Sequence, residues 1–245
     1  MPPRAKRTLL KIPLVRAFAG GQKPGEPYEP ELRAALKSLV APGSLCVDVG
    51  AHHGLITVFV AELVGPEGRV VAFEAHPDNA AVLRDAVNEA GVADRVEIEN
   101  LAVTDGATSQ VSLHSGRRRA SAEWNVVGTD VDGRETPSVL EVDAISLDQF
   151  FARGDSQPDL VKVDVEGAEA QVLAGMRRIL RETRPAVALE FHNEEGWAGR
   201  AELFDAHYDL YTATGSHIDA GRETERVYHC VALPHERPFP VEVAL

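Results

Sequence analysis

The chain is short of the residues that cross-link a protein. It has two cysteines in 245 residues, Cys46 and Cys230. Two are too few for a disulfide framework, so a cytoplasmic, reducing setting is the expectation. It is also short of positive charge. The formal net charge is −13, which argues against broad contact with nucleic-acid phosphates. No apolar run approaches the ~18 residues of a membrane span, so no stable membrane insertion is expected. Basic charge does gather at the start, where Arg4, Lys6, Arg7, Lys11 and Arg16 stand without an acid among them. Lys11, Pro13 and Arg16 interrupt the apolar residues there, so the segment does not read as a signal peptide. A solvated arm is the expectation.

What is present suits one folded domain. Apolar residues make up 44 % and charged residues 26 %, the ordinary globular balance. Gly20-Gly21-Gln22-Lys23-Pro24-Gly25-Glu26-Pro27 is a linker by composition. It divides a basic arm, 1–25, from a domain, 26–245. Apolar spacing predicts helices over 31–40, 55–63, 78–89, 148–152, 168–180 and 202–207, and strands over 45–49, 69–74, 96–103, 160–165 and 185–191. Such alternation implies a parallel sheet with helices on both faces. Residues 111–114 and 138–145 read as two arms of a β excursion around a polar loop, and 208–213 with 227–233 as a closing antiparallel pair. The expected fold is α/β, with about seven strands, mostly parallel, and an antiparallel last strand.

The densest signal is Cys46-Val47-Asp48-Val49-Gly50-Ala51-His52-His53-Gly54, an apolar strand running into a glycine turn. Twenty residues past Gly54, a second apolar strand ends on Glu74. A glycine turn lets a nucleotide-like ligand approach backbone N–H groups, and a carboxylate at the next strand end can accept from both hydroxyls of a ribose. The dinucleotide pattern G-x-G-x-x-G is absent. Asp48, just before the turn, suits a positive centre or an amine better than a pyrophosphate. S-adenosylmethionine carries both. Gly50, Ala51, Gly54, Asp48 and Glu74 are therefore cofactor candidates, and Leu101 and Ala102, at the expected end of the third strand, should sandwich the adenine. Read without a ligand, the glycines make a plain strand-to-helix turn and Glu74 a solvent-facing helix cap. His52 is expected to face solvent, and His53 is open to either reading.

The second dense signal is Lys162-Val163-Asp164-Val165-Glu166-Gly167-Ala168-Glu169. Ligands of open α/β sheets bind outside the carboxyl ends of the strands, so Asp164 points at the same crevice. Glu166 and Glu169 are expected in the first turn of the next helix, where the dipole favours acids.

Together Val47-Asp48-Val49-Gly50-Ala51-x-x-Gly54, Ala72-Phe73-Glu74 and Lys162 through Glu169, followed by Val172-Leu173-x-Gly175, resemble the FkbM family of S-adenosylmethionine-dependent methyltransferases. Pro185 to Glu190 with Phe191 and His192, Ser146-Leu147-Asp148 and Tyr28-Glu29-Pro30 are similar as well. The resemblance covers roughly 25–195. It implies a class I methyltransferase fold, S-adenosylmethionine as cofactor, and O-methylation of a sugar or secondary-metabolite hydroxyl. It also implies that Glu29 approaches the cofactor. The chain departs from the family where histidines fill both places between Ala51 and Gly54, and where Ala75-His76 precede Pro77.

Methyl transfer needs an acceptor oxygen placed in line behind the methyl and relieved of its proton. Asp164 is the first candidate for that work. His192 is the second, since imidazole suits proton transfer near neutral pH. Asp164, Glu166, Glu169, Glu190 and His192 could also hold Mg²⁺, but no tight ligand spacing demands it, and no metal site is assigned. Arg117, Arg118 and Arg119 with Trp124, and Ser121 with Asn125, lie in the long loop, where they could meet substrate or simply be solvated. The rival readings are a nicotinamide-dependent dehydrogenase and a cofactor-binding module without catalysis.

Overall fold

The computed structural model describes residues 29–115, 124–125, 139–154, 156–219 and 229–240. The basic arm, Arg117 to Arg119 and Ser121 lie outside them. Five strands run parallel at the centre: β1 (Leu45–Val49), β2 (Arg69–Phe73), β3 (Val96–Glu99), β8 (Leu160–Val163) and β9 (Ala186–Glu190). The last strand, β12 (His229–Pro234), enters antiparallel between β9 and β10 (Tyr208–Thr212), and the two-residue β11 (His217–Ile218) extends the edge. The order is β11-β10-β12-β9-β8-β1-β2-β3. The chain winds outward through β2 and β3 on one side of β1, and through β8 and β9 on the other. The switch point therefore falls between β1 and β8, where an open α/β sheet leaves a crevice.

The central strands are buried on both faces, and their alternation splits the core in two. Val47, Val49, Phe73, Val161 and Val163 pack on one side with Leu173, Met176 and Leu180. Cys46, Val70 and Leu160 pack on the other with Leu36, Val60 and Leu83. The second side is covered by α1 (Pro30–Leu39), α2 (Leu55–Val64) and α3 (Pro77–Ala90). Proline at the first position of α1 and α3 has its ring angle preset and misses no helical bond. Asp48 and Lys162 share this face as direct cross-strand partners.

A smaller sheet is built from β4 (Ala102–Val103), β5 (Gln110–Ser115), β6 (Trp124–Asn125) and β7 (Val139–Ile145), in the order β4-β7-β5-β6. The β excursion is thus present, and its loop contributes a short strand. The predicted strand 96–103 is two strands. It leaves the main sheet after Glu99, and Ala102–Val103 pairs with β7 instead.

The predicted helix 168–180 is also two, α5 (Glu169–Ala174) and α6 (Arg177–Glu182). The cause lies in another element, α4 (Leu147–Phe150), where the Asp148 carboxylate accepts from the N–H groups of Arg178 and Ile179 at 2.8 and 3.0 Å and so starts the second helix. Glu166 is not in that helix; it sits in the turn before it with φ 51°. Two short helices, α7 (Glu194–Ala198) and α8 (Ala201–Asp205), follow β9. Among the described residues no helix is long and apolar enough to cross a membrane.

Candidate active site

The crevice opens where β1 hands the chain to the glycine turn. The N–H groups of Gly50 and Ala51 both donate to the Phe73 carbonyl at 3.0 Å, and the Asp164 N–H donates to the Val49 carbonyl at 3.0 Å. The turn is thus laced to β2 on one side and to β8 on the other. Gly50 has φ 78°, and a Cβ there would lie 1.7 Å from the Asp164 carbonyl oxygen. Any side chain would drive the two strand ends apart. Gly54 starts α2 with φ 85°, facing Leu83.

Glu74 follows β2 and is buried. It is not the solvent-facing cap of the ligand-free reading; His76 caps α3 instead, accepting from Asp78 N–H. One Glu74 oxygen accepts from the His52 N–H at 2.7 Å. The other accepts from the His76 N–H at 2.9 Å and, weakly, from the Asn79 amide at 3.4 Å. Each carboxylate oxygen has two lone pairs, so Glu74 is fixed by backbone donors and keeps one acceptor site free, with a second where the weak Asn79 contact gives way. Burial pushes its pKa up, and those hydrogen bonds work against the rise. The Asn100 amide donates to the carbonyls of Glu74 and Ala75 at 2.7 and 3.0 Å, which fixes the loop carrying the carboxylate.

The histidines of the turn lie ring against ring, with centroids 3.7 Å apart. His53 is buried; His52 is exposed, as expected. Partial desolvation beside the adjacent His53 ring lowers the pKa of His52, and burial lowers that of His53. Both are neutral at pH 7.

Asp48 is where the sequence reading needs correction. It does not face the crevice as a counter-charge for a ligand. It is 2 % exposed, one oxygen accepts from the Thr57 hydroxyl at 2.6 Å, and the other lies 3.1 Å from the Lys162 ammonium. Lys162 also reaches the Gly50 carbonyl at 3.1 Å and Asp164 at 3.3 Å. Burial opposes its charge, but Asp48, Asp164 and Glu29 outweigh burial and raise its pKa.

Ala102 is likewise misplaced by the sequence reading. It is buried among Leu113 and Val142 under the small sheet. Leu101 is half-buried and packs, like Ile145 and Phe150, against the core beneath the cleft. A cavity of about 560 Å³, lined by Ile145, Gln149, Phe150 and Ala152, lies on this side; it contains none of the acidic groups.

Past Asp164 the character changes. Glu190 at the end of β9, His192 just beyond it and His229 at the start of β12 converge. Donor atoms of Asp164, Glu190 and His192 lie within 4.8 Å of one another, and so do those of Glu29, Glu190 and His229. Glu29 thus joins the far side of the crevice, beyond Asp164. His192 Nδ1 pairs with the fully buried Glu169 at 2.6 Å, and its Nε2 lies 3.6 Å from each of Asp164, Glu166 and Glu190. Burial pulls His192 down, but the Glu169 hydrogen bond and the surrounding carboxylates prevail and raise it to about 9. Burial, reinforced by Asp164, raises Glu190 to about 7. The rise at His192 favours the protonated imidazole at neutral pH, so His192 suits the role of a base less well than Asp164. A metal ion in this cluster would first have to displace that proton.

Sequence reading gave Lys162, within the second motif, no role of its own and did not single out His229. A lysine inside an otherwise apolar strand was the one available signal.

The donor set fits an adenosyl sulfonium ligand. Glu74 is a buried acid that could accept from a ribose hydroxyl, and carboxylates line the region beyond. Lys162 has its ammonium turned inward and His192 is surrounded by carboxylates, so the described residues here are poorly suited to a pyrophosphate.

Residues 48–218 match the methyltransferase FkbM domain. The chain is 27 % identical over 209 residues to the 31-O-demethyl-FK506 methyltransferase FkbM of Streptomyces tacrolimicus, covering 76 % of this chain and 80 % of that one. It is 26 % identical over 201 residues to the 2-O-methyltransferase NoeI of Sinorhizobium fredii, covering 77 % and 80 %. Among solved structures, it superposes on an O-methyltransferase from Bacillus cereus with a TM-score of 0.52 at 15 % identity, over 96 % of this chain and 92 % of that one. It also superposes on methyltransferase FkbM from Methylobacillus flagellatus, with a TM-score of 0.50 at 17 % identity, over 78 % of this chain and 43 % of that one.

Proposed function

We propose that this chain, which belongs to the FkbM-domain family of S-adenosylmethionine-dependent methyltransferases, methylates a hydroxyl of an uncharged, polyhydroxylated small molecule such as a sugar or a glycosylated secondary metabolite. One observation carries the reading. The strand end that adjoins the cofactor turn bears a carboxylate, Asp164, and the surface beyond it is a cluster of acids, Glu166, Glu190 and Glu29, with His192. Hydroxyls donate well to carboxylates. An anionic acceptor would be repelled by the same groups, because Lys162 is turned inward and the His192 imidazolium is already paired with Glu169. The curated relatives' names specify transfer to oxygen, which supports a hydroxyl acceptor here.

S-adenosylmethionine supplies a methyl on a sulfonium, whose departure as a neutral thioether needs no acid. The protein's task is to place and deprotonate the acceptor. Gly50, Ala51 and Gly54 would shape the turn that holds the adenosyl part, and Glu74 would accept from its ribose hydroxyls. Asp164 would accept the proton of the acceptor hydroxyl. Protonated His192, held by Glu169, faces Asp164 and stabilises the charge arrangement without itself acting as base. No step uses a metal ion, so activity is expected to survive chelation.

The test is transfer of a labelled methyl group to a panel of neutral glycosides, glycosylated polyketides, uronic acids and sugar phosphates, beside calorimetry with S-adenosylmethionine and NAD. Binding of the first cofactor with methyl ethers formed on neutral members is the expected result. Transfer confined to the anionic acceptors would overturn the substrate class. Donor binding with no transfer to any hydroxyl would favour a module without catalysis.

A further inference from the structure

Lys162 is a lysine in the middle of a buried strand, 4 % exposed, and nothing in the reaction just described uses it directly. An ammonium has three N–H donors. Here three acceptors surround it, each from a different piece of the site. Asp48 Oδ1 of β1 lies at 3.1 Å, the carbonyl of Gly50 in the cofactor turn at 3.1 Å, and Asp164 Oδ2 beyond β8 at 3.3 Å. The ammonium is thus enclosed by the protein's own groups, one hydrogen bond to the Gly50 carbonyl and two ion pairs to carboxylates. The cross-strand register sets Lys162 directly beside Asp48, and the same strand carries the chain two residues on to Asp164. A Cβ on Gly50 would strike the Asp164 carbonyl, so the turn and the strand end touch as well as share this cation.

We propose that Lys162 is a positioning residue: its ammonium locks the cofactor turn to the strand end that bears the acceptor-side carboxylate, without touching the methyl donor. The acceptor-side half of this statement rests on the reading of Asp164 given above; the turn half does not.

Two probes separate positioning from contact. S-adenosylhomocysteine has an amino-acid tail; 5′-methylthioadenosine keeps the adenosyl half and lacks the tail's carboxylate and amine. Affinity for both is measured by calorimetry or displacement, counted per binding-competent molecule, on the parent, Lys162→Arg, Asp48→Asn with Lys162→Met, and Asp164→Asn. The paired variant removes both partners, because Lys162→Met alone would leave a buried carboxylate uncompensated and risk unfolding. Lys162→Arg keeps the charge but cannot aim three N–H groups from one nitrogen.

Both lysine variants are expected to weaken both probes in parallel, by roughly tenfold or more, in keeping with loss of a charge-assisted hydrogen bond that holds the turn. Asp164→Asn should bind both probes within about threefold of the parent, since the ammonium keeps an oxygen partner there. A lower melting temperature with unchanged affinities would reduce Lys162 to a stabilising residue and overturn the proposal. Loss confined to S-adenosylhomocysteine would overturn it in favour of direct contact with the tail. Should Asp164→Asn keep full methyl transfer, the reading of Asp164 fails, while the result with the two probes still decides the role of Lys162 at the turn.

Discussion

On the β1–β2 side of the crevice the groups that set the geometry are mostly backbone. The N–H groups of Gly50 and Ala51 meet one carbonyl, and those of His52 and His76 meet one carboxylate. The histidines there are neutral at pH 7. On the β8–β9 side the working groups are side chains that titrate, from β8, β9, β12 and the turns beside them, and each one's charge depends on its neighbours. Under the proposed function the first side would recognise a constant ligand, which fixed backbone groups suit. The second would move a proton and accommodate an acceptor, and titratable side chains suit that work. Lys162 lies under the junction and belongs to both.

The comparison can be broken most severely at Gly50. Gly50→Ala places a methyl against the Asp164 carbonyl in a left-handed backbone, so a loss of about 4 kcal/mol or more in stability is expected, with no S-adenosylhomocysteine binding. Urea denaturation and calorimetry read both, and a folded, binding variant would show that the turn is not as rigid as described. Next comes Asp164→Asn. Its turnover should fall ~10²–10⁴-fold with cofactor affinity nearly intact, so a loss of affinity equal to the loss of rate would erase the division between the two sides.

Glu74→Gln tests the other side. Cofactor binding should weaken roughly tenfold to a hundredfold, as a carboxylate's bonds to two hydroxyls become an amide's. Turnover at saturating cofactor should change little, and the opposite pattern would place Glu74 with the reacting groups.

The smallest effect is expected at His192 and depends on pH. Its pKa stands at about 9 in the folded chain against an ordinary 6.5. The stabilisation this confers is full below about pH 6.5 and is lost as pH rises through 9. The parent should therefore lose about 2 kcal/mol more between pH 7 and 9.5 than His192→Gln does, by urea denaturation, allowing for partial exposure of the ring. Equal losses would mean that the four carboxylates do not hold its proton.

The two sides also differ in how far they can be read from the chain. Gly50, Gly54 and Glu74 lie within one βαβ unit, where local spacing fixes geometry, so the motif was legible with its structural context. Asp48 belongs to the same motif, yet its role was misjudged, because its partner Lys162 is 114 residues away and only strand pairing makes them neighbours. The break between α5 and α6 was invisible for a similar reason: the cap on the second helix comes from Asp148, in another element. Ala102 was misassigned because an apolar pair reads the same whether it continues one sheet or enters the next.

The alternation of apolar segments determined the α/β architecture, and the glycine turn with its acid determined the kind of cofactor. Both are local patterns, and local patterns survive in the linear chain. Which carboxylate faces the ligand, which is neutralised from behind and which histidine keeps its proton were decided only in the folded molecule. Charges act through space and burial magnifies them, so a residue's chemistry here follows from neighbours that the order of the chain does not reveal.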